Sequence, residues 1–328
     1  MRVTTASIIG GLACLFANFH PVALAFAPLQ PSSPNLHYHK NTQRALLSSS
    51  GKPLPSPTLV RAEGGEQDVE SSSKSTLLRE AIAEFIGTFV IVHIGCGTVC
   101  AAIYKSAQVG LWQIAAAWSI AVTIAITTTG HVSGAHLNPA VSIALAALRP
   151  SPSFGWGKVI PYCAAQISGA AAAAGVNFVL YRDAIAKFEA AEGIVRGAAG
   201  SVASAAAFGE YWSVPCWATA LLAESMGTAM LAFVIFSLTN PKNSSMKDNS
   251  GWIPPLIGAT VGGLISVFAP LTQAGFNPAR DFGPRIITAL TGWGRAVAMK
   301  GWWVYVLGPI LGALTGAFIA DKILYADD

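Results

Sequence analysis

The chain has 328 residues, of which 53% are apolar and only 11% are charged, and its formal net charge is +4. Since an ordinary soluble domain is about one-quarter charged, we expect most of this chain to face lipid or other apolar helices. The basic residues do not cluster, which argues against nucleic-acid binding. The five cysteines form no metal-ligand group with the histidines, so the sequence predicts no metal site and no cofactor. It also contains no catalytic constellation or phosphate loop, and we therefore predict that the protein is not an enzyme.

The N-terminal segment 1–25 has the pattern of a signal peptide. Arg2 supplies a positive charge, and the apolar run at 8–19 is too short to span a bilayer with ease. Small residues at 23 and 25 then form a typical cleavage site. Residues 1–25 are therefore predicted to be a targeting signal rather than part of the fold.

The next segment, residues 26–76, is predicted to be a transit-peptide-like stretch followed by a polar linker. It is rich in Ser and Pro and contains no acidic residue before Glu63. The aromatic Phe26 directly after the cleavage site resembles the bipartite presequence of algae with secondary plastids. We predict a location in a plastid membrane, either envelope or thylakoid, and keep the plasma membrane or an endomembrane as the alternative.

Six long apolar segments follow, each near the roughly 20 residues that a helix needs to cross a bilayer. They are residues 78–104, 110–130, 157–181, 214–239, 252–270 and 301–324. Two shorter apolar stretches, 137–148 and 277–290, each follow an Asn-Pro pair and are too short to span. Proline is well placed in the first turn of a helix. The sequence thus predicts an all-α membrane protein with six transmembrane helices and two re-entrant half-helices.

The apolar part of the chain is a repeat. The hexapeptide Ala-Glu-x-x-Gly-Thr occurs twice, with its glutamate at Glu84 and at Glu224, a spacing of 224 − 84 = 140. The motif Asn-Pro-Ala begins at Asn138 and at Asn277, a spacing of 277 − 138 = 139. Each copy therefore has the same layout of three spans and one half-helix.

These spacings predict a first channel repeat at 77–181, a connecting loop at 182–213 and a second channel repeat at 214–325. Three spans per repeat is an odd number, so the second repeat enters the membrane upside down relative to the first. An inverted repeat places the two half-helices end to end near the middle of the bilayer. The connecting loop is expected to cover one mouth of the pore.

Several of these features resemble the aquaporin (major intrinsic protein) family. They are the six spans, the two hexapeptides, Ser-Gly-Ala-His-Leu-Asn-Pro-Ala at 133–140 and Asn-Pro-Ala-Arg at 277–280. The resemblance covers about residues 77–325. It implies a homotetramer in lipid, with one pore per subunit that passes water or small uncharged solutes passively.

The Asn-Pro-Ala motifs are the predicted centre of the pore. Their residues are Asn138, Pro139, Ala140, Asn277, Pro278 and Ala279. A helix start presents unpaired N–H groups and a partial positive charge, so two such ends facing each other oppose cations and protons. The two carboxamides can also donate to the oxygen of a passing solute. The alternative is that both asparagines only cap their helices.

The resemblance further implies that Glu84, Glu224 and His136 are structural supports that hold the half-helices. Charged residues within spans are costly and usually face the interior. His136 could instead titrate as a gate.

In the family, four positions at fixed offsets from the motif asparagines form a narrow selectivity filter. Counting from Asn138 and Asn277 places Trp118, Ile265, Ala274 and Arg280 at these positions. Water-selective members usually have Phe where this chain has Trp118 and His where it has Ile265. The set found here most resembles the nodulin-like plant members, which pass glycerol. Trp118 could instead be an interfacial anchor.

Other residues that distinguish the branches of the family point to different branches. Asp281 and Arg285 resemble the glycerol-conducting branch, whereas Tyr305 is closer to the water branch. We predict a passive channel for glycerol and other small uncharged solutes, including water and, as further candidates, urea, ammonia and hydrogen peroxide. The alternatives are a water-selective aquaporin, an ion-coupled secondary transporter and a structural membrane-junction protein.

Overall fold

The computed structural model describes residues 66–107 and 110–326, and these residues form helices and turns. The predicted signal peptide and most of the predicted transit-like segment lie outside the described residues. The principal helices are α1 (Glu66–Lys105), α2 (Leu111–Ser133), α3 (Pro139–Leu148), α4 (Trp156–Ala191), α5 (Trp217–Leu238), α6 (Ile253–Thr272), α7 (Pro278–Leu290) and α8 (Val304–Phe318), the last continued by a π-helical turn, Ile319–Leu324.

The predicted fold class is confirmed. Among the described residues, six helices are long and apolar enough to cross a membrane, and each corresponds to one of the six apolar segments. They are α1, α2, α4, α5, α6 and α8 together with its π-helical continuation. The short helices α3 and α7 begin at Pro139 and Pro278, directly after the motif asparagines. The Asn-Pro pairs therefore start the two half-helices, as the sequence predicts.

Helix α4 is longer than the predicted third span, which ends at residue 181. It continues to Ala191 because residues 182–191 are mostly strong helix formers, among them alanine, lysine and arginine. Its 36 residues correspond to about 54 Å at 1.5 Å per residue, well beyond a hydrocarbon core of about 30 Å. The predicted connecting loop thus begins as helix, and we call residues 192–216 the connecting segment.

The two halves of the chain interlock through their half-helices. Helix α1 packs on α4 within the first half, α5 packs on α8 within the second, and α2 packs on α6 between them. Half-helix α3 contacts α8, and half-helix α7 contacts α4. Each half-helix therefore lies against the third span of the other half, which keeps its backbone away from lipid, as membrane depth requires.

Glycines allow the paired spans to approach closely. A Cβ atom at Gly169 of α4 would overlap the carbonyl oxygen of Phe85 in α1. A Cβ atom at Gly316 of α8 would overlap the carbonyl oxygen of Ala229 in α5. Small residues at such contacts let helix backbones touch, which is a main source of association between helices in membranes.

We expect Gly316→Ala to destabilise the protein, because the new methyl group has to push α5 and α8 apart. The loss should be about 1–3 kcal/mol in the free energy of unfolding. Gly263→Ala is the matched control, since no neighbouring atom lies within 4 Å of the Cβ position there and alanine favours the helix. Thermal unfolding of the two purified variants in detergent measures the effect, and equal midpoints would contradict this account of the contact.

Candidate functional site

Both motif asparagines cap their half-helices. The Oδ1 atom of Asn138 accepts a hydrogen bond from the backbone N–H of Ala140 at 2.9 Å. The Oδ1 atom of Asn277 accepts from Ala279 at 3.0 Å and from Arg280 at 3.3 Å. The capping role is therefore present in both halves, and it uses only the carbonyl side of each carboxamide.

The amide side of each asparagine bonds to the opposite half. The Nδ2 atom of Asn138 donates to the carbonyl oxygen of Phe276 at 2.9 Å, and that of Asn277 donates to Leu137 at 2.7 Å. A carboxamide nitrogen carries two N–H donors. One is used in this crossed pair of bonds, and the second stays available to the cavity that both asparagines line.

The chain before each asparagine adopts an unusual backbone conformation. Ala135 and Leu137 have φ angles of 48° and 52°, and Ala274 and Phe276 have φ angles of 61° and 54°. Left-handed geometry costs a residue with a side chain roughly 1–2 kcal/mol. The spacing of the two motifs recurs in these pairs, since 274 − 135 and 276 − 137 both equal 277 − 138. The same costly turn is therefore built in both halves.

Glu84 holds the first of these turns. Its carboxylate accepts from the backbone N–H groups of His136 at 2.9 Å and Leu137 at 2.7 Å. It also accepts from the hydroxyl of Ser133 at 2.6 Å and the carboxamide of Gln166 at 2.7 Å. The four donors offset the cost of a carboxylate in the span, and the role of Glu84 as a structural support stays a prediction that these contacts favour.

Glu224 holds the second turn in the same way. Its carboxylate accepts from the N–H groups of Gly275 at 3.0 Å and Phe276 at 2.8 Å, and from the hydroxyl of Thr272 at 2.6 Å. It is fully buried. Both predicted glutamates thus contact the half-helix loops directly.

His136 belongs to the support of the first turn. Besides its backbone bond to Glu84, its Nδ1 atom lies 3.2 Å from the Oγ atom of Ser142 in α3. Its ring packs between Phe154 and Tyr162, with centroid distances of 4.3 Å and 5.0 Å. The side chain therefore links α3 to an aromatic cluster, which favours a structural role over a titrating gate.

Two tyrosines that sequence reasoning did not assign complete the supports. The hydroxyl of Tyr162 donates to the carbonyl oxygen of Ser133, and that of Tyr305 donates to Thr272, both at 3.0 Å. The two acceptors are the last residues of α2 and α6. The repeat could have indicated this pair, since the spacing of the tyrosines, 305 − 162 = 143, is close to the spacing of the two halves.

A cavity of about 370 Å³ passes the two asparagines. This is several times the roughly 30 Å³ that one water occupies in the liquid. One wall is aliphatic and consists of Ile91, Val122, Ile126, Leu231, Ile235, Ile257, Val261 and Ile265. The polar lining includes Asn138, Asn277, Arg280 and, where α3 ends, Arg149. The cavity thus offers hydrogen-bond donors against an apolar surface.

The four residues predicted to form the filter lie together. Trp118, Ile265, Ala274 and Arg280 all line this cavity and also a second cavity of about 340 Å³. They therefore stand at the boundary between the two. Their role as a selectivity filter stays a prediction.

Trp118 faces the arginine rather than lipid. It is 5% exposed, and the guanidinium carbon of Arg280 lies 4.5 Å from the centroid of its ring, within range of a cation–π contact. An interfacial anchor would be largely exposed, as Trp112 is at 75%. The location favours the pore-lining interpretation of Trp118.

Asp281 and Arg285 form a buried ion pair with a distance of 2.7 Å between Arg285 Nε and Asp281 Oδ2. Asp281 accepts from the backbone N–H of Glu210 at 2.8 Å, and Arg285 donates to the carbonyl oxygens of Glu210 and Ala298. The pair joins α7 to the connecting segment and to the chain before α8. Neither residue lines either cavity. The ion pair therefore acts on the second cavity only by holding the connecting segment in place.

The connecting segment contributes to the second cavity, which the sequence did not reveal. Gln273, with φ of 65°, occupies the place of Gly134 in the first half. Its side chain accepts from the N–H of Tyr211 at 2.7 Å and donates to Ala206 at 3.1 Å. The sequence could have indicated this contact, because it has a glutamine at the position where the first half has a left-handed glycine. Gln273 holds the connecting segment, and Glu210 of that segment lines the second cavity beside Arg280.

Six spans, two half-helices whose N-terminal ends are joined by crossed asparagine bonds, and a cavity that passes those ends define an inverted-repeat membrane channel. The model of the major intrinsic protein family matches residues 71–320. The chain therefore belongs to the major intrinsic protein family.

Curated relatives agree with this assignment. The chain is 38% identical to the glycerol uptake facilitator protein of Escherichia coli strain K12 over 259 residues, which cover 77% of this chain and 90% of that protein. It is 39% identical over 249 residues to the glycerol uptake facilitator protein of Pseudomonas aeruginosa, covering 74% and 87%. It is 38% identical over 245 residues to a propanediol uptake facilitator of Salmonella typhimurium, covering 72% and 90%.

Among solved structures, the X-ray structure of the aquaglyceroporin from Plasmodium falciparum matches with a TM-score of 0.65 and 26% identity. The match covers 76% of this chain and 97% of that one. The likeness extends over nearly the whole of the related channel.

We expect Ala274→Cys to make the pore sensitive to mercurials, because Ala274 lines both cavities and a thiol there would lie at the boundary between them. The described native cysteines, Cys96, Cys100, Cys163 and Cys216, line neither cavity, so wild type should be blocked weakly. Flux into proteoliposomes with and without mercurial tests this. Ala259→Cys, on the exposed face of α6, is the control, and equal block of the two variants would show that the constriction lies elsewhere.

Proposed function

We propose that this protein is a passive transmembrane channel for glycerol and other small uncharged solutes. The observation that supports the proposal is that Trp118, Ile265 and Arg280 line the same two cavities. A guanidinium group has five N–H donors in a fixed fork. A polyol can accept from these donors through its hydroxyl oxygens while its C–H groups contact the tryptophan and isoleucine.

The named relatives support the same class of solute. Two are glycerol uptake facilitators and one is a propanediol uptake facilitator, and each matches about three-quarters of this chain. Glycerol and propanediol share hydroxyls on a short carbon chain. Water, urea, ammonia and hydrogen peroxide are smaller or similar in size and uncharged, and we include them as further solutes.

Protons and ions are excluded at the two asparagines. The half-helices α3 and α7 present their N-terminal ends, with partial positive charge, to the same cavity. Each asparagine also keeps one donor for the pore. A water that accepts from both asparagines cannot accept from its neighbours as well, which interrupts a proton-conducting chain.

Passive transport is supported by the hydrogen bonds of Glu84 and Glu224, the two glutamates that the repeat places within the spans. An ion-coupled transporter needs a carboxylate or similar group that can bind a coupling ion. Glu84 and Glu224 instead accept hydrogen bonds from the loops that they hold. Both carboxylates are therefore already used to hold the loops that precede the half-helices.

We further propose that four copies assemble as a homotetramer in lipid. Helix α2 turns Thr127, Thr128 and His131 to its exposed face, and exposed apolar residues such as Ile120 and Ile124 lie on the same helix. Polar groups on the outside of a membrane bundle are better covered by another subunit than by acyl chains. Native mass spectrometry of the detergent-purified protein measures the number of subunits.

The protein is a multi-pass membrane protein, and we propose a plastid membrane as its location. The support is the composition of residues 1–76, with a signal-like start and a basic, Ser/Pro-rich continuation. A fluorescent protein fused after residue 76 reports the destination. Fluorescence at the plasma membrane or in endomembranes would overturn the plastid proposal without affecting the channel.

The proposed function is tested by light scattering of proteoliposomes under separate gradients of water and glycerol. We expect both solutes to enter faster than into empty vesicles, with no saturation and no dependence on an ion gradient. Fast water flow without glycerol entry would indicate a water-selective channel. Saturable uptake driven by an ion gradient would indicate a transporter.

The double change Trp118→Phe and Ile265→His should shift the channel toward water, because it replaces part of the apolar wall, which contacts the C–H groups of a polyol, with a polar imidazole. We expect the ratio of glycerol to water permeability to fall roughly tenfold. Trp112→Phe, at an exposed position of the same helix, should leave the ratio unchanged. An unaltered ratio in the double variant would show that these residues do not form the filter.

A further inference from the structure

Glu210 lies in the connecting segment, outside the spans, yet it is only 1% exposed. Its backbone is clamped from both sides, because its N–H donates to Asp281 and its carbonyl oxygen accepts from Arg285. Since Asp281 and Arg285 are themselves paired and buried, the position of Glu210 is fixed by α7. The side chain is therefore held in one place at the mouth of the pore.

The carboxylate of Glu210 faces Arg280. Its Oε1 atom forms an ion pair with Nη2 of Arg280, while its Oε2 atom has no hydrogen-bond partner among the described residues. Glu210 lines the second cavity together with Trp118, Ile265 and Arg280. Among the described residues that line the two cavities, it is the one acidic side chain.

The carboxylate of Glu210 supplies a hydrogen-bond acceptor, which Arg280 lacks. Arg280 has donors but no acceptor, and its Nη1 atom already donates to the carbonyl oxygen of Phe208 at 3.1 Å. A solute hydroxyl both donates and accepts, so a polyol entering the filter gains a second bond if an acceptor lies nearby. The carboxylate also cancels the positive charge of the guanidinium, which in a dry constriction would hold anions and oxygen atoms strongly.

We propose that Glu210 is a fifth selectivity residue of this channel, whose ionised carboxylate neutralises Arg280 and gives the solute an acceptor, so that glycerol flux depends on the ionisation of this one side chain. The inference rests on the proposed function as a glycerol channel. It adds to that function a residue from the connecting segment and a dependence on pH.

The surroundings of Glu210 move the ionisation of its carboxyl group into a pH range in which flux can be measured. Burial raises the pKa of Glu210 to about 8, against the opposing attraction of Arg280. The other charged or titratable groups that face it are Asp281 and Arg285 of α7, Glu224 of α5, Cys96 of α1, Tyr305 of α8 and the neighbouring Tyr211. The group is ionised above this pKa and protonated below it, so glycerol flux should rise as the pH rises through about 8.

The experiment measures glycerol and water flux into proteoliposomes at several pH values between about 6.5 and about 9.5, a range that brackets the pKa of Glu210. The pH is the same inside and outside the vesicles. We expect the wild-type glycerol flux to rise roughly threefold across the range, the effect of one hydrogen bond gained or lost. Glu210→Gln keeps the shape of the side chain and removes its charge. It should remain at the low level at every pH.

Two further variants separate this role from a structural one. Glu192→Gln removes the same formal charge from an exposed position of the same segment and should keep the wild-type pH step. Glu210→Asp retains an ionisable group and should keep a step, with a shifted midpoint. A folding defect of Glu210→Gln would lower glycerol and water flux together, whereas the proposal predicts a loss specific to the pH dependence of glycerol.

A flat wild-type glycerol flux across the range overturns the proposal, and this measurement does not depend on the folding of any variant. A pH step that persists in Glu210→Gln also overturns it. Absence of glycerol flux at every pH, with water flux retained, instead overturns the proposed function and this inference with it. The two failures are therefore distinguishable in the same vesicles.

Discussion

The structure depends on one constraint, which is that two stretches of chain reverse direction inside an apolar bundle where water cannot satisfy their backbone groups. Glu84 and Glu224 meet this constraint by accepting the N–H groups of the residues just before each Asn-Pro-Ala motif. A carboxylate within a span is costly, but here each has at least three donors. The left-handed conformations of Leu137 and Phe276 persist because these bonds hold them.

The pore belongs to both halves together. Each half-helix packs on the third span of the other half, and each asparagine donates to the loop of the other half. One repeat alone would leave its half-helix and its asparagine without these partners. The inverted repeat therefore explains both the stability of the half-helices and the meeting of two positively polarised helix ends at one point of the cavity.

The two halves differ where the connecting segment contacts the second half. Gln273 takes the place of a glycine and binds this segment, and the Asp281–Arg285 pair clamps it to α7. At the other end the cavity is bordered by Arg149, which pairs with Asp321 beyond α8. The departures from symmetry place Glu210 against Arg280, so the two mouths of the pore differ while its centre stays symmetric.

The sequence by itself determined the six spans, the half-helices, the motif asparagines, the supporting glutamates and the four positions proposed for the filter. The spans, the half-helices and the duplicated motifs follow from local hydropathy and from the spacing of the repeat, whereas the supporting role of the glutamates and the four filter positions follow from the resemblance to the family. The contribution of Glu210, Gln273, Tyr162 and Tyr305 was decided only by the tertiary structure. Their partners lie in distant parts of the chain, and a hydrogen bond between distant segments leaves no periodic trace in the sequence. The end of α4 has a different cause, since its last turns are stabilised by local helix-forming residues, while the predicted span is bounded by hydropathy.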